Sequence, residues 1–223
     1  MRDKIVALLR AEGQLRQLDA ATMASVASFF MRHVETNLET TARRHPLGFV
    51  VISEPVCEGL VLRYHIWPRD WGVPDGQESG QTHDHSFELN SLVLGGSLRQ
   101  LTFEAVIASS GGHEIFEVHY GAEVGSDLRR TGQRARLERE TDETFAAATA
   151  YRLPPRVVHY VETVRRPAAT LVLSVAYPGA PAPRVFVPLG QKAPGAFPRE
   201  ILDPKEIAIA RSAIAELREI TSQ

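Results

Sequence analysis

Histidines in two distant stretches of the chain have the type and spacing that metal chemistry requires. His83 and His85 lie one residue apart in the stretch "GQTHDHSFELNSLVLGGSL", residues 80–98. Side chains at positions i and i+2 of a β-strand leave the same face, so the two imidazoles can point at one ion. A metal needs at least one more ligand, and the later stretch "VVHYVE" offers His159. Either these three residues bind a metal, or they are ordinary strand histidines.

Three neutral imidazoles on one side of a divalent ion leave two or three coordination positions open. With Fe(II), such a site lets a substrate chelate the metal while dioxygen binds beside it. With Zn(II), the same ligands suit a hydrolytic or Lewis-acid centre that lowers the pKa of a bound water toward about 7. The ligand set alone does not choose between these metals.

A strand ahead of the histidine pair carries a second group of polar side chains. In "LVLRYHIW", residues 60–67, Arg63, His65 and Trp67 alternate with apolar residues and therefore share one face. If the apolar face packs under helices, the polar face lines the interior. We therefore expect these three residues to line a substrate pocket.

The guanidinium of Arg63 is planar and suits bidentate capture of a substrate carboxylate. The alternative is a structural ion pair with an acid such as Glu54 or Asp70. His65 is a structural histidine, a group that supports the site or an additional metal ligand. Tyr151 lies eight residues before His159 and faces the same side if the intervening proline turn keeps the strand register.

The segments at both ends of the chain have helical patterns. Residues 1–45 contain two runs with apolar residues at helical spacing, and Gly13 is expected to end the first. These runs predict a helical hairpin packed on the outside of the fold. The helix predicted over 203–221 begins with Asp203 as N-cap and Glu206 three residues later, which is a capping-box arrangement.

Between the helices, residues 47–187 change to a period of two with short runs separated by Gly, Pro, Asp or Ser clusters. The candidate strands are "FVVIS", "LVLRYHIW", "THDHSFE", "NSLVLGG", "LRQLTFEAVI", "EIFEVHYG", "RARLERE", "TAYRLP", "VVHYVE", "ATLVLSVAY" and "RVFVP". Many strands in succession without intervening helices predict a mainly β fold, an antiparallel barrel or a double-sheet jelly roll. We expect residues 1–223 to form one domain.

Composition excludes several classes of partner. The chain has 223 residues, 43% of them hydrophobic and 23% charged, with a net charge of −2. The arginines of the densest basic stretch, residues 127–140, are balanced by nearby acids, so we interpret it as a solvated hairpin. Neither nucleic acid nor an anionic membrane is an expected partner. The single cysteine, Cys57, and the lack of an apolar leader or spanning segment predict a cytoplasmic protein.

Together the two histidine stretches resemble the conserved motifs of the cupin superfamily, which are small β-barrels. The first cupin motif carries H-x-H and a strand that ends in glycine, here Gly96. The second is a proline followed after four residues by histidine, here Pro154 and His159. The resemblance covers about residues 59–177 and implies that the three histidines bind a metal inside a barrel.

The chain departs from the cupin pattern at two positions. The usual glutamate ligand is replaced by Leu89, and Glu88 is one residue out of register, so it becomes a ligand only if a β-bulge turns it inward. A site of three histidines without a carboxylate resembles that of the thiol dioxygenases, which also place a carboxylate-binding arginine ahead of the pair, as Arg63 stands here. The second motif has Arg156 in place of its glycine.

Three functions follow from this resemblance. The first is a non-haem Fe(II) dioxygenase that uses O2 on a small carboxylate-bearing metabolite, a thiol or amino-acid derivative. The second is a cupin that uses Zn(II) or Mn(II) to isomerise or rearrange a biosynthetic intermediate. The third is a non-catalytic ligand-binding barrel. The helical ends also permit a homodimer, since cupin barrels often pair through sheet edges and terminal segments.

Overall fold

A computed structural model of the chain describes residues 1–11, 16–120 and 125–221. The helices are α1 (Arg2–Arg10), α2 (Ala20–Asn37) and α3 (Pro204–Thr221), and a single 3-10 turn covers Glu78–Gly80. The strands are β1 (Arg16–Gln17), β2 (Arg43–His45), β3 (Phe49–Cys57), β4 (Leu60–Trp67), β5 (Phe87–Ile107), β6 (His113–Tyr120), β7 (Gly125–Ala146), β8 (Thr149–Leu153), β9 (Val158–Ala176), β10 (Arg184–Pro188) and β11 (Phe197–Pro198). Gly13, expected to end the first helix, lies outside the described residues.

All the strands pair in one curled antiparallel sheet. Its main path runs β10-β6-β7-β5-β9-β4-β3-β2, while β8 pairs with β1 and β5, and β11 pairs with β7. The prediction of a mainly β, antiparallel fold with helices at both ends is confirmed. None of the helices in the described part of the chain is both long and apolar enough to cross a lipid bilayer.

The main chain at His83 links β9 to the edge strand β10. The amide of His83 donates to the carbonyl of His159 at 3.0 Å, and the amide of His159 donates back at 2.8 Å. On its other side His83 bridges Val185, where the amide of Phe186 donates to the carbonyl of Thr82 at 2.9 Å. Hydrogen bonds therefore run in a ring through β10, β6, β7, β5, β9 and the segment around His83.

Several strands are longer than the sequence pattern predicts. The runs predicted as separate strands around "VLGG" form one strand, Phe87–Ile107, and the last two predicted runs before β10 join as Val158–Ala176. The stretch "THDHSFE" is not a regular strand, because only an isolated bridge at His83 precedes β5. Residues 127–140 lie within the single strand Gly125–Ala146 rather than forming a hairpin of their own.

The N-terminal helical region is shorter than predicted. Helix α2 ends at Asn37, and Arg43–His45 is an edge strand paired with β3. The two N-terminal helices are separated by Arg16–Gln17, which pairs with β8, so the predicted helical hairpin is interrupted. The cap of α3 is as predicted: Asp203 Oδ1 accepts from the Glu206 amide at 2.8 Å, and the Glu206 side chain accepts from the Asp203 amide at 3.1 Å.

The helices cover the apolar outer face of β4 and so direct its other face inward. Leu62, Tyr64 and Ile66 are fully buried in one core cluster with Phe30 and Val34 of α2. Burying each large apolar side chain contributes about 2 kcal/mol. A one-residue slip of β4 would expose this set, so its packing fixes which side chains face the interior.

Candidate metal centre

The three predicted histidines converge inside the curled sheet. Ring centroids of His83 and His159 are 4.3 Å apart, those of His83 and His85 are 4.8 Å apart, and those of His85 and His159 are 5.1 Å apart. One ring nitrogen of each lies within 4.8 Å of the others. An ion bound by imidazole at about 2 Å would require these nitrogens to lie somewhat closer together.

Backbone carbonyls orient two of these rings. His83 Nδ1 lies 2.8 Å from the carbonyl oxygen of Gln81, and His159 Nδ1 lies 3.1 Å from that of Val157. Each Nδ1 therefore carries the hydrogen, which leaves the Nε2 lone pair free for a metal. Such contacts fix both the tautomer and the direction of a metal-binding histidine.

The cluster is held in the neutral form that metal binding needs. Burial lowers the pKa of His83, and it lowers the pKa of His85 and of His159 well below the usual value. The neighbouring histidines add to the effect at His85 and His159, because a second positive charge nearby is unfavourable. Three neutral imidazoles in one place fit a divalent cation.

An ion-pair cluster behind the histidines joins the segments that carry them. Asp84 points away from its two histidine neighbours, is fully buried, and accepts from Arg184 Nε and from Arg156 Nη1, at 2.8 and 3.3 Å. Arg156 adopts φ +68°, a left-handed conformation that glycine favours, in the position where the cupin motif has glycine. Its amide donates to the carbonyl of His85 at 2.9 Å. The turn before His159 thus keeps its shape without glycine.

Glu88 lies outside the histidine cluster. Pairing between β5 and β9 is regular from Phe87 to Val93, so no bulge turns Glu88 inward. Its carboxylate accepts from Arg152 Nη2 at 2.5 Å, from Asn90 at 2.9 Å and from the Tyr177 hydroxyl at 3.0 Å. Burial raises the pKa of Glu88, but these hydrogen bonds outweigh it and the net pKa is lowered. The Glu88 carboxylate therefore has its hydrogen-bond partners away from the histidine cluster.

Two cavities meet at the cluster. The entrance cavity, of about 100 Å³, is bordered by His45, Arg63, His83, His85, Tyr120 and Arg199 among others. The inner cavity, of about 90 Å³, is bordered by Arg63, His65, Trp67, Leu89, Tyr151 and His159 among others. Each has room for several water molecules or a small ligand. His83 and His85 border both, so a bound ion would face both spaces.

Arg63 borders both cavities and has no acid partner within the described ranges. Its Nε donates to Ser174 Oγ at 2.7 Å, and its guanidinium carbon lies 5.0 Å from the centre of the Phe87 ring. Of the two acids considered as structural partners, Glu54 instead accepts from the Tyr64 hydroxyl at 2.8 Å. Burial lowers the pKa of Arg63. A partly buried guanidinium with no acid partner among the described residues can bind an anion.

The other predicted pocket residues line the inner cavity. His65 Nδ1 lies 3.4 Å from Thr170 Oγ1, and its ring packs edge-on against Trp67. Burial lowers the pKa of His65 to about 3, and the charge of Arg63 adds to this effect. Tyr151 stacks on Phe145, and burial raises its pKa to about 12. Their roles in substrate binding stay predictions.

Two residues of the entrance cavity were missed by sequence reasoning. His45 stacks on Phe49 with ring centroids 4.1 Å apart and borders both cavities. Arg199 comes from the stretch before α3 and was assigned no role. Neither lies in a recognisable motif, and the sequence contains no signal that brings these distant stretches to the cluster.

Comparisons with known proteins give weak structural likenesses. Oxalate decarboxylase from Bacillus subtilis is 14% identical, with a TM-score of 0.34 over 81% of this chain and 37% of that chain. An oxalate decarboxylase formate complex from Lactobacillus farciminis is 9% identical, with a TM-score of 0.37 over 75% of this chain and 47% of that chain. An oxalate oxidase is 16% identical, with a TM-score of 0.36 over 80% of this chain and 73% of that chain.

This chain spans less than half the length of these oxalate decarboxylase chains. No protein-family model and no curated protein sequence matches it. At these levels of similarity the structural likenesses assign neither a family nor an activity, so the functional argument rests on the site itself.

Proposed function

We propose that this protein is a metalloenzyme with a cupin-type barrel, and specifically a non-haem Fe(II) dioxygenase for a small carboxylate-bearing metabolite such as a thiol or amino-acid derivative. The observation that carries the proposal is the convergence of three neutral imidazoles beside an arginine that has no acid partner in the described part of the chain. A divalent ion held by His83, His85 and His159 would keep coordination positions free and, as Fe(II), support oxygen chemistry.

The surrounding residues supply orientation and exclusion of water. Arg63 would bind the substrate carboxylate in a bidentate way and so place the adjacent carbon atoms beside the cluster. The apolar groups of the inner cavity, among them Trp67 and Leu89, would shelter the rest of the substrate from bulk water. The motif resemblance to thiol dioxygenases favours iron over zinc.

The proposal is tested with untagged protein and a His83→Ala variant. We expect wild type to bind about one iron per chain and the variant to retain less than about a tenth of it, because one of three ligands is lost. Wild type should consume oxygen when small thiol or amino-acid carboxylates are added. Metal is measured by mass spectrometry and oxygen with an electrode.

The matched control is His119→Ala, which removes a partly exposed histidine of β6 outside the cluster and should leave both readouts unchanged. Stoichiometric zinc or manganese without oxygen uptake would replace the dioxygenase with a cupin of another reaction class. Full metal content in the His83 variant would refute the metal centre.

A further inference from the structure

The entrance cavity carries positive charge that its described lining residues do not balance. Arg63 and Arg199 both border it. Asp84 is the single acid among its described lining residues, and this carboxylate is fully buried against Arg156 and Arg184. A cation held by the histidines would add to the excess. Such a cavity favours a ligand with more than one negative charge.

The surroundings of Arg199 are those of a group that binds a ligand. Its guanidinium carbon lies 5.6 Å from the centre of the Tyr120 ring. Its Nε is buried without a hydrogen-bond partner, and no carboxylate of the described residues lies within 4.0 Å of the group. Buried donors are almost always paired, so this N–H indicates an acceptor that the described residues do not supply.

His45 adds a neutral donor near the two arginines. The Leu47 amide donates to His45 Nδ1 at 3.2 Å, so the hydrogen of the neutral ring is on Nε2. Burial lowers the pKa of His45 well below its usual value, and the charge of Arg199 adds to the effect. The ring therefore stays neutral while it borders the cavity, where it can donate to an anion.

We propose that the substrate carries two anionic groups, a carboxylate bound by Arg63 beside the histidine cluster and a second carboxylate or phosphate bound by Arg199. The role of Arg63 in this proposal rests on the proposed function, whereas that of Arg199 rests on its own buried donor and on the cavity charge. Arg199 thereby selects dianions over monoanions of the same length.

Calorimetric titration of the Zn(II)-loaded protein tests this selection without turnover. The probes are the dicarboxylates from malonate to adipate, each compared with the monocarboxylate of equal carbon number, and 3-phosphonopropionate beside succinate. We expect at least one dianion to bind about 10-fold more tightly than its monoanion, as a charge-assisted hydrogen bond provides. The tighter of succinate and 3-phosphonopropionate identifies the second group as carboxylate or phosphate.

Arg199→Gln should reduce that ratio to about 2-fold or less and leave monocarboxylate binding unchanged, whereas Arg199→Lys should give an intermediate ratio. The control Arg129→Gln removes an exposed arginine of β7 and should preserve the ratio. A ratio that survives in Arg199→Gln, or is absent from wild type, overturns the proposal. Arg63→Gln should weaken every carboxylate about 10-fold or more. Its failure to do so, like a failure to bind metal, would instead count against the proposed function.

Discussion

Asp84 supports the histidine cluster from the opposite side of the main chain. The amide of Arg184 donates to its Oδ1 at 2.6 Å, besides the contacts from the two arginine side chains. Through these bonds one carboxylate joins the His83–His85 segment to β10 and to the turn before His159. The residue between His83 and His85 therefore anchors the segment that carries both of them.

We predict that Asp84→Asn weakens metal binding about 10-fold or more, as changes in groups that support metal ligands typically do. The metal-free protein should also lose stability, toward the lower end of about 3 to 5 kcal/mol, because two partly exposed arginines lose their counter-charge. Competition with a chelator measures the first effect and urea unfolding the second. Asp127→Asn, an exposed acid of β7, should change neither. Lost stability with unchanged metal affinity would mean that Asp84 only supports the fold.

At the scale of residues, the sequence predicts what local spacing can encode. The i, i+2 pair and the register of Leu89 and Glu88 follow from the alternation of a strand, and the structure brings the pair together with His159. Arg199 and His45 reach the same cavity through long-range packing. No local pattern marks such residues, because their position depends on how the whole sheet curls.

Glycine at the bend of β5 allows one strand to pair along its full length. Register with β9 shifts between Val93 and Leu98, and Gly96 there has φ +70°. A Cβ atom at Gly96 would lie 2.4 Å from the carbonyl oxygen of Arg165, a distance that real Cβ atoms do not tolerate. The bend therefore requires the absence of a side chain at this position.

We predict that Gly96→Ala destabilises the protein by at least about 2 kcal/mol more than Gly132→Ala does. Both glycines have positive φ, but a Cβ at Gly132 would meet nothing within 4 Å. The control should therefore cost only the conformational strain of about 1 to 2 kcal/mol. Urea unfolding of the two variants gives the difference, and equal losses would show that the carbonyl of Arg165 moves away freely.

At the scale of elements, the sequence pattern predicts which residues lie in strands better than it predicts where one strand ends and the next begins. Phe87–Ile107 and Val158–Ala176 each change partners along their length, so their burial pattern changes midway. The glycine and proline residues inside these two strands look like turn signals when only the neighbouring sequence is considered. The caps of α3 are predictable because Asp203 and Glu206 interact over only three residues.

Stability of the whole molecule depends on several histidines that are buried in neutral form. The pKa of His65 is about 3 in the folded protein, against 6.5 as its ordinary value. Between these values the unfolded chain binds a proton that the folded chain does not. The free energy of unfolding therefore falls as the pH falls through this window, by up to about 1.4 kcal/mol per pH unit for each such histidine.

We predict that His65→Gln reduces this pH dependence in the metal-free protein, by up to about 1.4 kcal/mol per pH unit between pH 4.5 and 6. Glutamine keeps hydrogen-bonding capacity but does not titrate. Urea midpoints across the pH series measure the slope, and His119→Gln serves as the control with a partly exposed histidine. An unchanged slope in His65→Gln would show that His65 takes up its proton without unfolding.

The backbone pairing of His83 with two other segments affects when the histidine cluster can form during synthesis. The His83 backbone is held between His159 and Val185, so the histidine cluster gains its full backbone support only once β10 has emerged from the ribosome. A truncated chain that stops before residue 184 would contain all three histidines of the cluster and still lack the neighbour that holds the first one in place.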